Sequence, residues 1–339
     1  MAGLKGWVIE ENSFPKKGKI EEQLEFLIRY AVLAPNSHNT QPWKFKIEKN
    51  KIIIFPDYSK KLKIIDKNNR ELWISLGCAL ENLLLSGRNF GFNIKIKTDE
   101  EKIIVSFTKG KVIKDNLFEQ ITKRVTNKRK AKRILIKPEI LQDLKRTRFE
   151  KGTNAFLLED KEDIEKVIEL VKEGNDILLK DPNFIKESIN LMRFNLSEVN
   201  KYKDGLTYKS MDMPSTPAGF GKIVTTMFLK PKYVNKEDEE KLRNSSGIII
   251  ITSTSDEKKD WVKVGKTTQK LLLKLTSLGI SYSFLNQPCE ISKLRKKLQK
   301  ITKEFPQLII RIGYAKDISH APRKEIGEVL EIVQNKNKK

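Results

Sequence analysis

A short loop between a predicted helix and a predicted strand carries several polar side chains that could bind a ligand. It reads APNSHNTQPW at residues 34–43, and its candidate ligand-binding residues are Pro35, Asn36, Ser37, Asn39 and Gln41. Side chains of this kind supply hydrogen-bond donors and acceptors that suit a flat ring with alternating nitrogen and carbonyl groups at its edge. The alternative is an ordinary polar connection, in which proline and asparagine only set the turn geometry.

Two basic segments could bind a phosphate group. In ITKRVTNK at residues 121–128, Arg124 and Lys128 flank Thr126, and a second basic pair, Arg323 and Lys324, stands near the C-terminus. A phosphate monoester is strongly anionic and binds best to charge-assisted donors. The chain holds 67 Lys and Arg residues, so either pair, taken alone, is better explained as solvated surface.

Other patterns do not form convincing chemical sites. GKTT at 265–268 resembles the end of a P-loop, but Asp260 stands where a glycine is needed, and its carboxylate would repel phosphate. GFG at 219–221 lacks the third glycine of a dinucleotide fingerprint. The two histidines and the two distant cysteines, Cys78 and Cys289, predict neither a hydrolase site nor a zinc site, and a disulfide stays open. No catalytic residue and no metal ligand is nominated.

The net charge of +23 raises nucleic-acid binding as an alternative function. However, the basic residues are scattered along the chain, alternate with apolar positions and form no basic arm, which favours a lysine-rich solvated surface and no nucleic-acid partner. No apolar run approaches the roughly 20 residues that span a bilayer, and the N-terminus lacks a secretory signal. A soluble cytoplasmic protein without a membrane partner is the expectation.

Hydrophobic periodicity predicts the elements that would position these residues. Helices are predicted at 19–34, 72–90, 116–123, from Pro138, over most of 161–200, at 263–278 and near 290–301. Strands are predicted at 43–47, 51–55, 92–97, 103–107, 247–252, 281–285 and 307–312. The segment 201–232 contains glycine and proline and is interpreted as a flap or lid.

An internal repeat links the two long central helices. GCALENLLLSGRNFG begins at Gly77 and GKTTQKLLLKLTSLG at Gly265, an offset of 265 − 77 = 188. In both segments glycine is expected to open the helix, three leucines follow six residues later, and glycine closes it. An apolar run, KIIIF or GIIII, precedes each copy, which favours a duplicated and diverged unit over chance.

These motifs together resemble the FMN-dependent nitroreductase family. The loop at 34–43 resembles its PSxxNxQPW loop, and HNTQPW is similar to the fused, Acg-type branch, as is DGL at 204–206. ITKRVTNK resembles its R-x-[S/T]-x-[K/R] phosphate element, both repeat copies resemble its long central helix, and FPQLIIRIGYAKDISHAPRKEIGEVL its C-terminal strand and basic element. The resemblance covers about residues 20–332. The chain departs from the family pattern at two places: Asn36 stands where the family usually has serine, and Arg323–Lys324 stands where it usually has two arginines.

The resemblance implies an α+β, nitroreductase-like fold of two tandem diverged halves that form an intramolecular pseudo-dimer. The first half, residues 1–112, would carry the flavin ring loop. The second, 113–339, would carry the phosphate-binding residues, a helical insertion and a possible lid at 161–232. Because each motif occurs once, one FMN site and a monomer are expected. The segment SFLNQP adds Asn286 and Gln287 as residues near flavin N5.

The implied activity is NAD(P)H-dependent reduction of an electron-poor acceptor, such as a nitroaromatic or a quinone, by a ping-pong flavin mechanism. The flavin carries this chemistry and the protein positions it. The alternative is an FMN storage, sequestering or sensing protein without turnover, in which the lid covers the ring.

Overall fold

The computed structural model describes residues 6–331, which form two main sheets built around a central pair of long helices. The first part of the chain contains α1 (Ile20–Ala31), β1 (Trp43–Glu48), β2 (Lys51–Pro56), α2 (Arg70–Asn89), β3 (Phe92–Thr98) and β4 (Ile103–Lys109). Its strands pair antiparallel in the order β1-β2-β4-β3. In β1, Trp43 and Phe45 are fully buried while the lysines that follow each of them, Lys44 and Lys46, are partly exposed, as alternation predicts.

The second part of the chain adds more helices and the second sheet. Its elements are α3 (Pro138–Lys145), β5 (Thr153–Leu158), α4 (Lys161–Leu178), α5 (Pro182–Asn190), β6 (Met192–Arg193), α6 (Leu196–Tyr202), β7 (Leu206–Thr207), α7 (Ala218–Phe228), α8 (Pro231–Arg243), β8 (Gly247–Ser253), α9 (Lys258–Ser277), β9 (Ser281–Phe284), α10 (Gln287–Glu290), α11 (Ser292–Thr302), β10 (Phe305–Gly313), α12 (Ile326–Val329) and β11 (Leu330–Glu331). The strand order is β5-β8-β10-β9, all antiparallel.

The C-terminal end of the described chain joins the first sheet. Strand β11 pairs parallel to β1, with Leu330 opposite Phe45. The strands on either side of this pairing are separated by most of the chain, so it fastens the second part of the protein to the first. Sequence periodicity could not reveal this strand, because it is only two residues long.

The two long helices cross at a pair of glycines. A Cβ added to Gly77 would overlap the carbonyl oxygen of Val262 and lie 2.9 Å from the Cα of Gly265. A Cβ added to Gly265 would overlap the carbonyl oxygen of Ile74 and lie 2.7 Å from the Cα of Gly77. Position 262 also corresponds to 74 at the offset of 188, so the contacts across the crossing are related by the sequence repeat. The internal repeat in the sequence thus corresponds to matching contacts at the helix crossing.

Several predicted elements need correction. The long helices begin at Arg70 and Lys258, so the two glycines lie inside them rather than opening them, and GKTT is helix interior. The helix predicted at 116–123 is a single 3-10 turn, Phe118–Gln120, between other turns. Strand β5 and helix α8 were not predicted. The segment 201–232 contains α7, and its interpretation as a flap or lid stays a prediction. The remaining long helices and strands agree within a few residues.

Candidate functional site

One cavity of about 310 Å³ lies where both parts of the chain meet. Such a volume is at the lower end of the range for small-molecule sites, about 300–1,000 Å³. The structure brings ten of the twelve sequence-predicted site residues to its wall: Pro35, Asn36, Ser37, Asn39, Arg124, Thr126, Lys128, Asn286, Gln287 and Arg323. Gln41 and Lys324 do not line it.

The polar loop has an unusual backbone. His38, Asn39 and Gln41 all adopt positive φ values, of 50°, 55° and 52°. Asn36 closes the loop, because its Oδ1 accepts from the backbone N–H of Gln41 at 2.8 Å and its Nδ2 donates to Ala34 O at 3.1 Å. Left-handed backbone is uncommon for residues other than glycine and persists only where surrounding contacts enforce it. The loop is thus a constrained structure and not a loose connection.

A carboxylate links the loop to the second part of the chain. Ser37 Oγ donates to Glu71 Oε2 at 2.7 Å, and Asn286 Nδ2 donates to Glu71 Oε1 at 3.3 Å. Asn286 also accepts from the backbone N–H of Ile309 at 3.0 Å. Glu71 is buried in the first turn of α2, where the positive end of the helix dipole favours a carboxylate. These bonds fix Ser37 and Asn286 on the cavity wall.

Asn39 and Gln41 are buried, and their side chains bind other segments of the protein. Asn39 Nδ2 donates to Gly205 O and Pro322 O, at 3.2 and 3.1 Å. Gln41 Nε2 donates to Lys203 O at 2.8 Å, and its Oε1 accepts from the backbone N–H of Lys324 at 2.8 Å. Both side chains therefore hold the insertion and the C-terminal segment against the loop.

Arg124, which lines the cavity on the side next to Leu33, has unused hydrogen-bonding capacity. It is buried, and its NH2 donates to Leu33 O at 3.1 Å. Its Nε and NH1 have no hydrogen-bond partner among the residues that the structure describes. Unsatisfied buried donors are rare and need an explanation, such as a ligand. An anion in the cavity would satisfy them.

Lys128 adds a second cation to this side. Burial lowers the pKa of its ammonium group to about 8, and the charge of Lys241 acts in the same direction. Desolvation and Lys128 also lower the pKa of His38 to about 4, so that imidazole is neutral near neutral pH. The side of the cavity with Arg124 and Lys128 is thus the one suited to an anionic group, and Thr126 stands between them in sequence.

Arg323 lines the cavity, but its guanidinium is already occupied. Its Nε donates to Val32 O at 2.9 Å, its NH1 to Asn39 Oδ1 at 2.7 Å, and its NH2 to Leu33 O and Ala34 O at 3.3 and 3.1 Å. Arg323 therefore caps the carbonyls at the end of α1 and has little capacity left for a ligand. In this respect the geometry distinguishes it from Arg124.

Trp7 and His320 line the cavity, and sequence reasoning missed both. Their ring centroids lie 4.1 Å apart, and Trp7 Nε1 donates to Ala321 O at 2.8 Å. The guanidinium of Arg323 lies 4.8 Å from the Trp7 ring. His320 Nε2 is buried without a partner among the described residues. A lone tryptophan in an N-terminal segment carries no motif, so no local signal could have assigned it to the site.

The insertion also reaches the site. Phe184 of α5, Leu206 of β7 and Ser210 line the cavity from that side. Gln287 lies on its wall, but its Nε2 donates to Asn175 Oδ1 at 3.0 Å and to Asp238 Oδ2 at 3.2 Å, towards α4 and α8. The insertion is thus part of the wall rather than a separate unit.

Glu290 is the remaining ionisable group of note. It lines the cavity, and burial together with the charge of Glu71 raises its pKa well above the usual range. This favours the protonated carboxyl, which can donate one hydrogen bond.

The cavity wall does not favour nucleophilic or metal chemistry. Burial raises the pKa of the Cys78 thiol to about 12, which disfavours a reactive thiolate. Both cysteines are free and buried. Among residues 6–331, no group of three or more His, Cys, Asp or Glu side chains is arranged to hold a metal ion. The same range contains no helix with the length and apolarity needed to cross a bilayer. The cavity can hold an anionic group next to a space whose walls are partly polar and partly apolar.

Known proteins resemble this chain along most of its length. Two curated proteins of Mycobacterium tuberculosis, from strains CDC 1551 / Oshkosh and ATCC 25618 / H37Rv, are each 20% identical over 322 residues, 91% of either chain. Both are named "Putative NAD(P)H nitroreductase". No protein-family model matches.

Solved structures show weaker similarity. An FMN and NADPH-dependent nitroreductase from sphigopyxis sp. strain HMH is 12% identical, with 64% of this chain and 99% of that chain covered and a TM-score of 0.42. An FMN-dependent nitroreductase from Mycobacterium smegmatis, in complex with NADPH, is 12% identical, with coverages of 65% and 98% and a TM-score of 0.40.

Proposed function

We propose that this chain, a relative of the NAD(P)H nitroreductases along 91% of its length, is an FMN-dependent NAD(P)H oxidoreductase. The family resemblance inferred from the motifs is confirmed by these relatives. The observation that carries the proposal is the cavity, whose wall combines the unpartnered donors of Arg124 with the constrained polar loop. This arrangement fits a ligand with a phosphate at one end and a flat polar ring at the other.

We infer that the FMN phosphate lies against Arg124, Thr126 and Lys128. Arg124 supplies N–H donors that have no other partner, and Lys128 supplies a charge that burial leaves poorly solvated. Each charge-assisted hydrogen bond contributes about 1.5–3 kcal/mol. Arg323 would then support the site through α1, and Lys324 through its backbone bond to Gln41.

The flavin ring would lie towards Pro35, Asn36, Ser37 and Asn286. In this proposal Asn39 and Gln41 shape the ring loop from behind, since their polar atoms bind protein segments. Gln287 contributes the start of α10 to the wall. When bound, the flavin supplies hydride acceptance from NAD(P)H and hydride delivery to an electron-poor acceptor such as a nitroaromatic or a quinone. The loop orients the ring, and Glu290 can donate its carboxyl hydrogen into the cavity.

We further propose that residues 1–112 and 113–339 are the two halves of a pseudo-dimer, with the 161–232 insertion bordering the single site. The pseudo-symmetric contacts of Gly77 and Gly265 and the pairing of β11 with β1 support this division. We expect a monomer, because residues from both parts of one chain line the cavity, and a cytoplasmic location stays part of the proposal. Light scattering that shows an obligate dimer, with flavin lost on dissociation, would overturn the monomer.

The absorbance spectrum of purified protein, titrated with FMN, tests the central proposal. We expect about one FMN per chain. Failure to bind added FMN would refute the flavin assignment, and a ratio near two would refute the single site. Steady-state oxidation of NADH and NADPH with a nitroaromatic or quinone acceptor then tests turnover. Bound FMN without turnover would instead support storage, which the nitroreductase relatives do not favour.

A further inference from the structure

Helix α7 is attached to the protein by a narrow, small-residue side. Only Gly221 and Thr225 of its eleven residues are buried. A Cβ added to Gly221 would lie 2.5 Å from the ring of Phe194, so the helix backbone itself packs closely on the body. The large side chains of the helix must therefore point elsewhere.

Those side chains form an apolar face towards the outside. Phe220, Ile223 and Met227 are 59%, 59% and 60% exposed. Spacings of three and four residues place them on one side of a helix. Phe228 and Tyr233 extend this face, with ring centroids 5.5 Å apart. Single exposed apolar residues are ordinary, but a contiguous group marks an interaction surface. We call these five residues the α7 surface.

The segment that carries the α7 surface is cationic. The partly or fully exposed acidic residues that flank it form ion pairs with other cations: Asp212 with Arg129, Glu237 with Lys241, Glu239 with Arg243 and Glu240 with Lys130. Residues 213–236 contain four lysines and no aspartate or glutamate. All four lysines are exposed: Lys222, Lys230, Lys232 and Lys236. The helix thus combines an outward apolar face with a cationic border, which is the pattern of a helix that lies in a membrane interface. Such a pattern requires a partner that offers both apolar material and negative charge.

We propose that the α7 surface binds anionic lipid membranes, with its apolar side chains at the level of the headgroups and its lysines near the lipid phosphates. A second copy of the chain is a poorer partner, because two proteins of net charge +23 would bring like charges together. The expectation of no membrane partner rested on the lack of a spanning run, and a helix lying in the interface needs none. Helix α5 packs on α7 and carries Phe184 to the cavity, so the α7 surface belongs to the insertion that borders the site.

Sedimentation of the purified full-length, FMN-treated protein with vesicles tests this proposal. We expect binding to vesicles of equal parts phosphatidylglycerol and phosphatidylcholine, weaker binding at high salt, and little binding to phosphatidylcholine alone. Ile223→Ser combined with Met227→Ser should weaken binding at least about tenfold, since less apolar surface is inserted. In Phe220→Trp, tryptophan emission should shift to shorter wavelength on anionic vesicles; the four native tryptophans are all buried.

Matched variants separate a specific surface from general attraction by a basic protein. Val112→Ser combined with Leu135→Ser removes apolar groups that are 58% and 82% exposed elsewhere and should leave binding unchanged. Lys222→Glu with Lys230→Glu should weaken binding more than Lys293→Glu with Lys296→Glu, an equal charge change on exposed positions of α11. Each variant is first checked for an unchanged melting temperature. Absent vesicle binding, equal losses in the matched variants, or a dimer abolished by the α7 changes would each overturn the proposal.

Discussion

Gly77 and Gly265 face each other at the crossing of the two long helices, and neither position has room for a Cβ. A Cβ on Gly77 would overlap the carbonyl oxygen of Val262, and a Cβ on Gly265 would overlap the carbonyl oxygen of Ile74, which is the corresponding residue of the other helix. The two glycines are 188 residues apart in sequence, and so are Ile74 and Val262. The absence of side-chain atoms at both positions lets the backbones of α2 and α9 approach closely at this point.

Alanine at either glycine should therefore push the helices apart. We expect Gly77→Ala and Gly265→Ala each to lower the free energy of unfolding by about 2–3 kcal/mol, because the added methyl group overlaps backbone that cannot move alone. Chemical denaturation of both variants measures this, and pseudo-symmetry predicts similar losses. Gly219→Ala is the control, since nothing lies within 4 Å of its Cβ position, and it should be neutral or slightly stabilising. Unchanged stability in both test variants would contradict tight packing at the crossing.

Arg124 and Arg323 should respond differently to removal of their charge. We expect Arg124→Met to weaken FMN binding by about tenfold to a hundredfold or more, while riboflavin binding stays nearly constant, because we propose that the unpartnered donors bind the phosphate. The free energy of unfolding of ligand-free Arg124→Met should not fall, because the charge of Arg124 repels the buried charge of Arg323 and the substitution removes that repulsion. Paired titrations with FMN and riboflavin give the result. Equal loss of both ligands would make Arg124 structural.

Arg323→Met is the matched variant for this comparison. Its guanidinium caps α1 through several backbone carbonyls, so we expect the ligand-free protein to lose about 3 kcal/mol or more of stability. A stable Arg323→Met variant that has lost only FMN affinity would instead place Arg323 on the phosphate.

Local patterns predicted most of the framework. Alternating residues in β1 and the apolar runs of β2 and β8 identified strands, and the apolar faces of α2 and α9 identified the long helices. Periodicity works there because each element buries one face against a sheet or a partner helix. It failed for β5, an edge strand of the second sheet, because its burial alternates but its sequence TNAFLL does not, with Phe156 at an exposed position. It also failed for β11, which is too short to show a period.

The site was harder to predict, because its side chains act through distant partners. The loop motif identified Asn39 and Gln41, but only the fold shows that their polar atoms bind Gly205, Pro322, Lys203 and Lys324. Likewise, Arg124 and Arg323 are both basic residues in sequence. Only the fold shows that Arg323 caps the carbonyl groups after α1 while Arg124 keeps unpartnered donors. The carbonyl partners of Arg323 lie up to 291 residues away in sequence.

We expect Lys128 to make FMN binding sensitive to pH. Its pKa is lowered to about 8, so the protonated, phosphate-attracting form is lost as pH rises through that value. We expect FMN affinity to fall between about pH 7.5 and 9, with riboflavin affinity unchanged as the control. Lys128→Met should weaken FMN binding and remove this pH dependence, and it should leave the ligand-free protein as stable or more stable, because a desolvated charge is gone. A pH dependence that survives in Lys128→Met would assign it to another group.

Asn39 should matter for folding as well as for the flavin. A loop at the surface would tolerate alanine, but Asn39 is buried, has a positive φ and accepts a 2.7 Å bond from Arg323 NH1 while donating to two carbonyl groups. Asn39→Ala leaves these groups unpaired and puts alanine in left-handed backbone, so we expect a loss of about 2–4 kcal/mol without ligand. Melting scans of the ligand-free protein measure this, with exposed Asn116→Ala as the neutral control. If Asn39→Ala melts like the unmodified protein but binds FMN more weakly, Asn39 contacts the ring and not the fold.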